Sequence, residues 1–133
     1  MVSSSSIIKK NMKTNIQLKK IVASLKLLSL PYEEQVKYFP DFVDVPFEVL
    51  DTFYNAFLLL PQQIEDGEFN YAVIANLLRL NNMINAISCN SDLQNLEEEQ
   101  FNSSIEWKKV REFAKEVLCV MNEPIEKPEK DFI

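Results

Sequence analysis

Gly67 is the only glycine in 133 residues, and that scarcity limits the fold more than any other feature. Hairpins, barrel corners and phosphate-cradling loops place glycine where the backbone must take a positive φ. A chain with one such residue is poorly equipped for sheets and well equipped for helices joined by short turns. The length allows one domain with a buried core. Hydrophobic residues make up 47%, with nine Phe, four Tyr and one Trp, a composition that excludes a disordered chain. The expectation is an all-α fold, a compact bundle of five or six helices forming a single domain over 14–122. A flexible N-terminal arm (1–13) and a loose C-terminal tail (123–133) are expected to flank it.

Helical periodicity places the elements. Leu18, Ile21, Val22, Leu25 and Leu28 recur at helical spacing over 14–29, with Lys19, Lys20 and Lys26 on the other side. Pro31 stops that helix and opens a short one, "PYEEQVKYF", which Pro40 ends. A third helix is predicted from Pro46 to Leu60, halted by Pro61, with Val49, Leu50, Phe53, Tyr54, Ala56, Phe57 and Leu60 on its core arc. After a loop, "QQIEDGE", a fourth runs from Phe69 to Ile87 with Tyr71, Ile74, Leu77, Leu78, Met83 and Ile84 inward. Ser91 with Gln94 and Ser103 with Glu106 have capping-box spacing and open the last two helices. In the final helix Trp107, Val110, Ala114, Val117 and Met121 form the core stripe, so Trp107 is expected in the core rather than at an interface.

Much chemistry is excluded. The chain has no histidine, which removes Ser-His and Cys-His nucleophilic pairs and the commonest zinc ligand. One glycine rules out GxGxxG and Walker loops. Cys89 and Cys119 are too few for a structural zinc site or a disulfide scaffold, and both are expected as buried free thiols of a cytosolic protein. The acidic turn "IEDGEFN" lacks the ligand pattern of a calcium loop. No metal or other cofactor is expected, and no enzymatic activity. No apolar run is long enough to cross a bilayer, and the start lacks the apolar region of a signal peptide.

Charge is distributed unevenly. Residues 1–40 hold seven Lys against two Glu, or +5, whereas 41–100 hold eleven acids against the lone Arg79, or −10. The last 33 residues come to −1, giving −6 in total. Within the acidic block, Asp44, Glu48, Asp51 and Asn55 fall within about 60° of one another on the predicted third helix, opposite its core arc. Asp41 precedes them, and Glu65, Asp66 and Glu68 follow in the next loop. Such a stripe is either the wet side of an ordinary amphipathic helix or a surface for a cationic partner; nucleic acid is disfavoured.

Two segments, "LPYEEQVKYFPDFVDVPFEV" at 30–49 and "SIEWKKVREFAKEVL" at 104–118, resemble small helical immunity proteins of contact-dependent growth inhibition and related polymorphic toxin systems. The resemblance implies a cytoplasmic protein, with a monomer favoured, that binds a cognate toxin domain. Such toxins are often nucleases, including tRNA-cleaving ones, with basic grooves that carboxylates would fit. On that reading Asp41, Asp44, Glu48, Asp51, Asn55, Glu65, Asp66 and Glu68 are the partner-binding set. The alternative is an acidic helical regulator or adaptor, such as a phage-type DNA mimic that binds a host DNA-binding protein.

Overall fold

The computed structural model describes the backbone of residues 4–90 and 98–133, and the side chains of 16–87 and 98–133. The fold is all-α, with no strand among the described residues. Four long helices, α1 (Ser4–Ser29), α3 (Val45–Phe57), α5 (Tyr71–Asn90) and α7 (Ile105–Val120), alternate with three short ones, α2 (Tyr32–Gln35), α4 (Leu60–Glu65) and α6 (Glu98–Ser103). A 3-10 turn, Val36–Tyr38, extends α2.

Local chemistry sets the boundaries. Asp44 caps α3 by accepting a hydrogen bond from the Phe47 amide (3.3 Å), and Asn70 accepts one from the Val73 amide (2.9 Å) at the start of α5, each satisfying an amide that a helix start leaves open. Ser104, not Ser103, caps α7, accepting from the Trp107 amide at 3.3 Å; the Ser103 hydroxyl donates instead to the Glu99 carbonyl at the end of α6. The Ser91–Gln94 capping box lies outside the described residues. Pro61 does not close α3 as the sequence suggested. It sits in the first turn of α4, where its missing amide is tolerated, so part of the expected loop is helical.

Gly67 explains its own uniqueness. It adopts φ 73° just after α4, with hydrogen bonds from its amide to the Ile64 carbonyl (3.0 Å) and from the Glu68 amide to the Gln63 carbonyl (3.0 Å). The same paired closure ends α7, where Asn122 takes φ 58° and the Asn122 and Glu123 amides donate to Cys119 and Leu118. This is the Schellman arrangement, which needs a left-handed residue and uses Gly or, less readily, Asn. Gln35, fully buried, closes α1 by donating to the Leu27 and Leu28 carbonyls (3.0 and 3.4 Å).

Helix α1 occupies the centre, packing against α7 on one side and α3 on the other, while α5 packs on α7. Its Ile21, Val22, Leu25, Leu27 and Leu28 are buried with Val49 and Phe53 of α3 and with Val110, Ala114 and Val117 of α7. Each fully buried side chain of this kind contributes about 1.5–3 kcal/mol relative to exposure. Trp107 is buried as expected, its ring 5.0 Å from that of Phe101, which in turn meets Tyr32 edge-on at 6.1 Å. Three expected core positions are not core: Tyr54, Tyr71 and Leu78 are exposed. The inward row of α5 is instead Val73, Leu77, Leu80 and Ile84. Cys119, expected to be buried, is a free and exposed thiol, because it follows the buried pair Val117–Leu118 on the far side of the turn. The Cys89 side chain lies outside the described residues.

The two flanks also differ from expectation. Helix α1 starts at Ser4 rather than near residue 14, taking in most of the proposed arm. The tail, expected to be loose, folds back on the bundle. Glu126 pairs with Lys26 at 2.9 Å and Lys127 with Glu34 at 3.2 Å. The Tyr38 hydroxyl donates to the Pro128 carbonyl at 2.8 Å, and Pro128 is buried. The Lys19 ammonium lies 5.6 Å from the centre of the Phe132 ring, a cation–π contact. Charge explains the docking, since a lysine-bearing helix meets a tail rich in Glu.

A candidate partner-binding surface on α3

The anticipated carboxylates are not equivalent once placed. Asp44 is exposed but holds the cap of α3. Asp51 accepts a hydrogen bond from the Asn55 amide group (3.2 Å), and Glu48, half-buried, has its backbone carbonyl taken by the Thr52 hydroxyl (2.7 Å). Asp41 is exposed in the turn before the helix. Glu65, Asp66 and Glu68 gather around the Gly67 turn, where Asp66 accepts from Gln62 at 3.3 Å. These three extend the acid-only run of sequence, one helix beyond the α3 stripe.

Two groups missing from the sequence-based set join the capped end. The Tyr32 hydroxyl has its pKa pushed up to about 12, first by burial, then by a hydrogen bond to Glu98 and by the negative charges of Glu98 and Asp44. Glu98, at the start of α6, therefore adds a carboxylate near Asp44. Its position within the acidic run 97–99 was the available signal, but no periodicity tied that run to α3. At the other end, Asn55 and Thr52 border a depression shared with Lys20, Leu59 and Ile133. A cation thus marks where the purely acidic surface stops.

The unforeseen feature is apolar. Phe47, Tyr54 and Leu58 are exposed by 57%, 55% and 57%, and at 100° per residue they fall within about 40° of one another. Phe42, in the turn before the helix, is 89% exposed. The buried row of α3, Val45, Val49, Phe53 and Ala56, lies on the opposite side. So α3 is apolar on two faces, and carboxylates run along one side of the outer one.

Among the described residues, no group of three or more metal-ligating side chains could hold an ion, and no helix is long and apolar enough to cross a membrane. The fold and surface together define an all-α protein with an acidic, aromatic outer helix. Comparison with known protein families, curated proteins and solved structures found no match.

Proposed function

We propose that this chain is an immunity protein, a stoichiometric inhibitor that binds the toxin domain of a polymorphic toxin system in the cytoplasm and covers its active site or substrate groove. The observation that carries the reading is an acid-only segment: residues 41–70 contain seven acids and no Lys or Arg, with Asp44 exposed at the cap of α3 and Glu48 and Asp51 half-buried along one side of it. The resemblance of residues 30–49 and 104–118 to immunity proteins supplies the partner class. A nuclease neutralises phosphates with a basic groove. Carboxylates presented on a rigid helix occupy that groove and steer the encounter. Inhibition of this kind needs no cofactor and no catalytic group of its own.

Co-expression with the product of the adjacent gene tests the proposal. The expected result is a complex that survives purification, together with protection of cells from that product's toxicity. A toxin-free neighbourhood, or a neighbouring product that neither binds nor harms cells, would overturn it.

A further inference from the structure

We propose that the outer face of α3 is an anchored docking site for a basic amphipathic helix on the partner. Phe47, Tyr54 and Leu58 form its apolar ridge, and Asp44, Glu48 and Asp51 form its charged rim. This deepens the toxin-inhibitor reading, because it names the anchor within the surface that reading uses, yet its test does not require the toxin.

Geometry is the first argument. Spacings of seven and four residues place the three side chains in one row along the helix axis, about 16 Å from first to last at 1.5 Å per residue. A row of this pitch is what a helix offers to a second helix laid across it. The second argument is composition. A helix face that only keeps a protein in water gains nothing from Phe, Tyr and Leu. Together they leave on the order of 300 Å² open, comparable with the largest, often functional, patches on monomers. Aromatic anchors inside a polar rim are the usual anatomy of an interface core.

Charge selects the occupant. Every ionisable side chain from Asp41 to Glu68 is acidic, so a partner that seats an apolar row here meets carboxylates along one flank. Lys or Arg on the matching side of the row answers them; Asp or Glu would be repelled. A second copy of this chain would bring the same acids against the same acids, which disfavours self-pairing through this face.

The probes are two synthetic peptides of about five helical turns and identical composition. In one, Leu recurs at i, i+4, i+7 and i+11 with Lys on both flanks; in the other the order is scrambled. We expect the amphipathic peptide to bind with a Kd of about 10–100 µM and to shift the NMR resonances of Phe47, Tyr54 and Leu58 most. The Phe47→Ala/Tyr54→Ala/Leu58→Ala variant should keep the wild-type melting temperature and bind at least about tenfold more weakly. The single Tyr54→Ala variant repeats the measurement should the triple variant melt early. Several results would overturn the proposal: equal binding of the two peptides, shifts centred elsewhere, absence of binding, or sedimentation showing the free protein dimerised through this face. If the peptides rank as expected but the adjacent gene product is not bound, the toxin reading fails and the docking site stands. If the toxin is bound equally well by the triple variant, the inhibitor reading survives on charge alone and the anchor is wrong.

Discussion

Helix α3 and helix α1 both carry a charged outer face, but the two are treated differently. On α1 two of the lysines are used within the molecule. Lys26 holds Glu126 and Lys19 lies over Phe132, so the chain's own tail answers the C-terminal half of its most basic helix at two points. On α3 nothing comparable happens. Among the described residues its acids accept hydrogen bonds from the Phe47 amide and from Asn55 and pair with no Lys or Arg, and its apolar ridge of Phe47, Tyr54 and Leu58 is left open. The lesson is that a charge imbalance along the sequence says little until one asks which half is answered internally. Here two lysines of the positive half are engaged by the tail, whereas the apolar ridge beside the acids of α3 is open.

The sharpest way to break this comparison uses two neighbours on α3. Phe53 is buried, 5.8 Å from the ring of Phe57, whereas Tyr54 points outward. Phe53→Ala should lose about 3–5 kcal/mol of stability, as core aromatic deletions do, while Tyr54→Ala should stay within about 0.5 kcal/mol of the wild type. Denaturant titration reads both. A large loss at Tyr54 would mean that the outer ridge is structural.

Asp44 serves both helix start and rim, so its variants separate the two duties. Asp44→Ala removes the cap and should cost about 0.5–2 kcal/mol, whereas Asp44→Asn keeps a capping side chain and should cost a few tenths. Equal losses in the two variants would tie the stability to the charge and not to the cap.

The closed region is tested at Tyr38. Tyr38→Phe deletes the hydroxyl that holds the Pro128 carbonyl and should cost about 0.5–1.5 kcal/mol. It should also speed amide hydrogen exchange in residues 125–133 while leaving α3 unchanged. Unaltered exchange in the tail would show that its docking does not depend on this bond.

Much of the fold was legible because the signals were local. The apolar rows of α1 and α7 fix core faces within a turn or two of themselves, whereas the caps at Asp44 and Ser104 were not singled out, because several neighbouring side chains could each have served. What escaped had more than one apolar solution. In α5, apolar residues occur at 71, 73, 74, 77, 78, 80, 83 and 84, enough to build two different stripes. Packing against α7 selects the row through Val73, Leu77, Leu80 and Ile84, and turns Tyr71 and Leu78 outward. Helix α3 failed in the same way. Tyr54 belongs to a second apolar row that periodicity merged with the first, so the carboxylates were legible as a surface while the ridge beside them was not. Glu98 and the docking of the tail depend on contacts between distant segments, which no local pattern carries.

The central claim, that the acids of α3 meet a cationic partner, is tested most directly by association kinetics. The Asp44→Asn/Glu48→Gln/Asp51→Asn variant preserves the cap and the apolar ridge while removing three charges. Its binding to the partner proposed above, the product of the adjacent gene, should be compared with wild type at two salt concentrations. Rim charges act mainly on the encounter, and added salt screens them over about 10 Å at 0.1 M. The variant should therefore associate more slowly, with the larger deficit at low salt and a flatter salt dependence. Association rates and salt slopes identical to those of wild type would contradict the account.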